Sequence, residues 1–181
     1  PTEAATLGVA YGMTRGEAAT KGLIPKGQLT GQDKIDIELK LGKVYDVAAK
    51  ELNDVKTQSS VMKSALKEAK IRLANGEAIN AVSQTIITTF GKILDPTSVV
   101  RESEYARSAD GQSLVSKIEG KYQQIIQGGA GLTEKSLEEF VAVGSLFLAG
   151  YRETLSGTVS RIETQSKNYG LNIENIIPPD E

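Results

Sequence analysis

The residues of this chain with the clearest chemical potential lie in one short run, residues 101–106, with the sequence Arg-Glu-Ser-Glu-Tyr-Ala. A glutamate in an apolar pocket can act as a general acid, because burial raises its pKa and keeps it protonated. The same charged side chains can instead form an ion-pair and hydrogen-bond network that fixes the angle between two helices. The run therefore supports either a catalytic or a structural interpretation.

The composition limits what other chemistry the chain can perform. Its 181 residues include no His and no Cys, so it has no thiol nucleophile, no disulfide and no Ser-His-Asp triad. The acidic residues lack the spacing of a calcium loop. The run Gly128-Gly129-Ala130-Gly131 lacks the Gly-Lys-Ser/Thr ending of a phosphate loop, and we interpret it as a hinge between helices. We expect no catalytic residue, no cofactor and no metal.

The charge balance gives no electrostatic reason for binding to nucleic acid or to an anionic membrane. The chain has 21 Lys and Arg against 23 Asp and Glu, a net charge of −2. Charged residues such as Lys34 and Glu38, or Lys63, Lys67 and Glu68, are predicted to lie on solvated helix faces. The most apolar window, residues 141–151, is about half as long as a membrane-spanning helix.

The spacing of apolar residues predicts an all-α fold, an elongated bundle of about five or six helices. Ile35, Ile37, Leu39 and Leu41 alternate as in a strand, but no second strand-like run lies nearby to pair with them, and helical spacing continues beyond them. We therefore predict a helix there. The first predicted helix begins at Asp33 and has apolar residues at positions 41, 44, 45, 47, 48, 52 and 55; the second is Ser60–Ala74, with apolar residues at positions 61, 65, 66, 69 and 73. Glu77–Leu94 and Pro96–Ser108 are the third and fourth helices. A turn at Asp110-Gly111 precedes the fifth, Gln112–Gln127, whose apolar residues include Ile126, and the last helix continues to about Asn168.

The last helix is the strongest prediction. Thr133 is expected to cap it, and Glu134 lies in its first turn, where a carboxylate complements the helix dipole. Its apolar stripe implies roughly 35 residues, or ~50 Å at 1.5 Å per residue, ended by Asn168-Tyr169-Gly170. Such a helix must pack on other helices, of this chain or of a neighbour.

Three regions of different composition follow from this pattern. Residues 1–32 carry glycines every four to six residues and are expected to form an extended arm, residues 33–170 a helical domain, and residues 171–181 a C-terminal tail. With 39% hydrophobic and 5% aromatic residues, the apolar supply is thin for a compact core. Phe90, Phe140 and Phe147 lie on apolar stripes, and we expect the core to take up all three.

A longer stretch around the charged run carries a resemblance. Residues 90–107, Phe-Gly-Lys-Ile-Leu-Asp-Pro-Thr-Ser-Val-Val-Arg-Glu-Ser-Glu-Tyr-Ala-Arg, resemble a segment of tape-measure-like and DNA-ejection proteins carried in the virions of tailed bacteriophages. In those proteins a helix, a Gly-rich turn with Leu-Thr, a long helix and a short apolar tail follow in order. Here Leu132-Thr133, the helix from Glu134 and the tail through Ile176-Ile177 follow in that order, so the resemblance spans residues 34–179. Ser103 and Tyr105 replace the usual Gly and Phe.

The resemblance implies a non-enzymatic component of a virion, internal or in the tail lumen, that enters the host cell envelope on infection. It implies partners that are copies of this chain and other virion proteins, transient contact with genomic DNA, and assembly into a channel. Asp95 is then expected to cap a helix, Pro96 to set its turn, and Arg101, Glu102 and Glu104 to form a structural ion-pair network.

Two alternatives remain open. The Glu102-Ser103 pair is similar to the catalytic motif of soluble lytic transglycosylases, which implies Glu102 as general acid in peptidoglycan cleavage. No Gly-Leu-Met-Gln type motif follows, and nine aromatic residues leave little to line a sugar groove. The second alternative is a cytosolic helical adaptor.

Overall fold

The computed structural model describes residues 29–94, 109–127 and 132–179. Within these ranges the fold is all-α, with 86% of the residues in helices and no strand. This confirms the predicted fold class and the long C-terminal helix. The elements are α1 Gly31–Ala74, α2 Asn80–Ile93, α3 Ala109–Ile126, α4 Glu134–Tyr169 and a 3-10 turn, Ile173–Asn175.

Four helices in the described residues are fewer than the five or six predicted. One reason is that the two helices expected between Asp33 and Ala74 are a single helix, α1. No Gly or Pro lies between Gly42 and Gly76, so nothing interrupts the backbone hydrogen bonds. The other predicted helix, Pro96–Ser108, lies outside the described residues.

The strand-like alternation at the start of α1 has a helical explanation. Ile37 is only 1% exposed and Leu41 is half-buried, whereas Ile35 and Leu39 are 51% and 61% exposed. Residues four apart share one face of a helix. The four alternating residues are therefore two such pairs on different faces of α1.

Two other element boundaries differ from the prediction. α2 begins at Asn80 rather than Glu77, because the Glu77 amide donates to the Arg72 carbonyl and closes the end of α1. Gly76, with φ +72°, provides the left-handed conformation that ends α1. Asp110-Gly111 lies inside α3 rather than in a turn.

Packing divides the chain into two compact units. The larger unit is residues 50–154, and its core forms around Phe90. The ring centroid of Phe90 lies 4.9 Å from that of Phe140, 6.1 Å from that of Phe147 and 5.8 Å from that of Tyr122. All three Phe side chains are buried, which confirms that the core takes them up.

The apolar stripes on α2 and α4 are confirmed, but the predicted stripes on α1 and α3 are wrong in part. Five residues expected to be buried are exposed: Val44, Val47, Val61, Leu73 and Ile126. In the larger unit, the buried face of α1 contains the predicted Val55, Ala65 and Ala69, together with Ser59 and Met62, which the prediction left out. Val61 precedes Met62 by one residue, and therefore points about 100° away from it.

The smaller unit contains residues 29–49 and 155–179 among those described. Thr30 caps α1: its hydroxyl accepts from the Asp33 amide at 3.2 Å, and the Asp33 carboxylate accepts from the Thr30 amide at 2.9 Å. α4 ends at Gly170, which has φ +62°, as Asn168-Tyr169-Gly170 predicted. The buried apolar side chains of this unit are those of Ile37, Ile162 and Ile176.

Candidate functional site

The residues that the sequence singled out are not placed by the structure. Asp95, Pro96, Arg101, Glu102 and Glu104 all lie in residues 95–108, outside the described ranges, and the run 128–131 does too. The structural and catalytic interpretations of Glu102 therefore both stay predictions. The described residues show instead three polar clusters that sequence reasoning did not assemble.

The first is the lysine cluster, formed by Lys117, Lys121, Thr133, Ser136 and Glu139 where α3 meets the start of α4. The Thr133 hydroxyl accepts from the Ser136 amide at 3.2 Å, which confirms the predicted cap. The Lys121 amine donates to the Ser136 hydroxyl at 2.5 Å. Lys117 and Lys121 lie 2.8 Å and 3.6 Å from the two carboxylate oxygens of Glu139.

A serine beside a lysine invites a catalytic interpretation, since a neutral amine can activate a hydroxyl. Here the Lys121 amine donates to Ser136 and also lies within ion-pair distance of Glu139. Ser136 is only 4% exposed, and its hydroxyl lies 2.8 Å from that of Thr133. This is the geometry of a helix cap held by an ion pair rather than of a nucleophile facing a substrate.

The electrostatics of the lysine cluster agree with a structural role. The hydrogen bond from Lys117 lowers the pKa of the Glu139 carboxyl below its ordinary value, although burial opposes the shift. The charged pair therefore stabilises the contact between α3 and α4 at neutral pH.

The second cluster joins α1 to the start of α4. Lys70 donates to Glu138 at 2.5 Å and lies 3.8 Å from Glu134. The hydrogen bond to Glu138 raises the pKa of the Lys70 amine. The sequence indicated Glu134 as a dipole partner, but Lys70 is 68 residues from Glu138, and no local pattern pairs them.

The third cluster is formed by Glu38 of α1 with Asn172 and Asn175 of the tail, and it contradicts the predicted exposure of Glu38. Glu38 was expected on a solvated face with Lys34, yet it is 8% exposed. Its two carboxylate oxygens accept from the Asn172 amide at 2.7 Å and from the Asn175 side-chain amide at 2.8 Å. Lys34 donates to the Gly170 carbonyl at 3.1 Å. The tail after α4 supplies both partners of Glu38, so this part of the tail is docked rather than solvated.

A shallow depression of about 480 Å³ lies along α1. It is lined by one face of α1: Asn53, Lys56, Thr57, Ser60 and Val61. Its lining holds one charged group, Lys56, and no pair of groups that could exchange a proton.

Within the described residues, no group of three or more acidic residues has an arrangement that could hold a metal ion. None of the described helices is long and apolar enough to cross a membrane.

Comparisons with protein-family models, with curated proteins and with solved structures find no match to this chain.

Proposed function

We propose that this protein is a non-enzymatic structural component of a tailed-bacteriophage virion, an internal, ejection or tail-lumen protein. Copies of it assemble with one another and with other virion proteins into a channel for genome delivery. The observation that carries the proposal is the order of motifs: the run at residues 90–107, then Leu132-Thr133, then the long helix and the apolar tail.

Several structural observations support a scaffolding role. The polar clusters of the described residues each join one element to another: α3 to α4, α1 to α4, and the tail to α1. A charged residue that caps or bridges helices acts on the geometry of the fold rather than on a substrate.

The distribution of aromatic residues argues against the transglycosylase alternative. A sugar-binding groove is lined by aromatic side chains beside its general acid. Phe90, Phe140 and Phe147 are buried together in the core of the larger unit, and Tyr151 is buried there as well. Few aromatic side chains are left to form such a groove beside Glu102.

Zymography on purified cell walls decides between the two function classes. We expect no clearing by the wild-type protein, by Glu102→Gln or by the matched control Glu104→Gln. Glutamine keeps the size of glutamate but cannot donate a carboxylic proton. A clearing band from the wild type that persists in Glu104→Gln and disappears in Glu102→Gln contradicts the proposal.

A further inference from the structure

The interior of the smaller unit is partly polar. Its buried side chains on α1 and α4 include Glu38, Thr158 and Ser166 beside Ile37 and Ile162. The Ser166 hydroxyl and the side-chain amide oxygen of Gln165 are buried without a hydrogen-bond partner. Buried polar atoms that lack partners destabilise a contact, so the two helices alone pack weakly here.

The tail compensates for this weakness. We define the strap as residues 170–179, which begin with the left-handed Gly170 after the end of α4. Ile176 of the strap is 2% exposed, and Leu171 packs in the cluster around Ile37. Within the strap, the Asn172 side chain accepts from the Glu174 amide at 3.2 Å and caps the 3-10 turn, so the strap holds its own conformation.

Glu38 couples the strap to the helices. Both of its carboxylate oxygens accept hydrogen bonds from strap groups, the Asn172 amide and the Asn175 side chain. If the strap leaves, a buried carboxylate loses both partners, which is strongly unfavourable unless Glu38 becomes hydrated. Undocking also takes Leu171 away from the buried Ile37 of α1, so the helix pair loses this apolar contact in the same step in which Glu38 loses its partners.

We propose that the strap is a latch whose release opens the smaller unit in one step while the larger unit stays folded. The larger unit has its own core around the Phe90 rings and its own ion pairs at the start of α4. Local cooperative opening of this kind is observed where one region has few buried apolar contacts and another has many.

Native-state hydrogen exchange of the full chain, followed by mass spectrometry, tests the latch. Glu38→Gln keeps the size of the side chain but presents an amide group to Asn175. We expect amide exchange in residues 31–49 and 155–177 to accelerate by a common factor of about tenfold or more, with no change in α2 or in residues 134–151. Asp46→Asn, at an exposed acid in the same part of α1, is the matched control and should leave all rates unchanged.

A second variant tests the latch without changing the charge of Glu38. Ile176→Ala removes buried apolar contact from the strap and should accelerate the same two ranges. Unchanged exchange in these ranges in both variants overturns the proposal. Equal acceleration in both units overturns it as well, because the chain would then open as a single unit.

Discussion

At the residue scale, the clearest determinants are positions where a small side chain permits a close approach. Gly91 on α2 lies directly under Tyr122 of α3: a Cβ atom there would overlap the tyrosine hydroxyl and lie 3.1 Å from its Cζ. The Tyr122 ring meets Phe90 edge-on at the centre of the core. Glycine at this position therefore allows α2 and α3 to pack around the Phe90 rings.

Gly91→Ala should lower the free energy of unfolding by about 1–3 kcal/mol, because the Tyr122 ring has to move away from its packed position. Gly120→Ala is the matched control, since Gly120 lies inside α3 and a Cβ atom there meets nothing within 4 Å. It should raise the free energy of unfolding by up to about 1 kcal/mol through helix propensity. Urea denaturation of both variants measures the difference. Equal effects of the two substitutions contradict the close approach of Gly91 and Tyr122.

The residue scale also shows where prediction from sequence stops. Burial of Phe90, Phe140 and Phe147 followed from helical periodicity alone. Burial of Glu38 did not, because its partners lie 134 and 137 residues along the chain. A pattern that compares residues three or four apart records only the Lys34 neighbour, and this predicted a solvated face.

At the element scale, ion pairs attach the start of α4 to two other helices, to α1 by Lys70 and to α3 by Lys117 and Lys121. The cap of α4 was predictable because Thr133 and Glu134 are local signals. Its attachment to α3 by Lys117 and Lys121 was not, since the ion-pair partners come from another helix. The two helices predicted between Asp33 and Ala74 are a single helix, because no Gly or Pro between Gly42 and Gly76 interrupts it.

The pH dependence of stability tests the lysine cluster. The folded state lowers the pKa of Glu139 below its ordinary value of 4.5. A lowered pKa contributes stability that is present above 4.5 and is lost as the pH falls through the folded-state value. The wild-type free energy of unfolding should therefore fall on acidification, and Glu139→Gln should make that fall shallower.

The measurement is a series of urea titrations between neutral pH and about pH 3. Glu163→Gln, at an exposed acid on the same helix, is the control and should follow the wild-type curve. If Glu139→Gln also follows the wild-type curve, the ion pair with Lys117 does not contribute to stability.

At the scale of the whole molecule, the fold class was predictable and the function rests on a resemblance. An all-α chain with a long last helix follows from composition and periodicity, and the structure confirms both. The motif at residues 90–107 continues into a stretch that the structure does not describe. The roles of Asp95, Pro96, Arg101, Glu102 and Glu104 therefore stay predictions, as do the oligomeric channel and the virion location.

The central claim is the proposal that this chain is a component of phage particles, and quantitative mass spectrometry of purified particles tests it most directly. A structural protein that assembles into a channel must be present in the mature virion in several copies. We expect its peptides in the particles at a fixed ratio to the capsid protein, with more than one copy per virion. Peptides that are abundant in the infected-cell lysate and absent from the purified particles contradict the account.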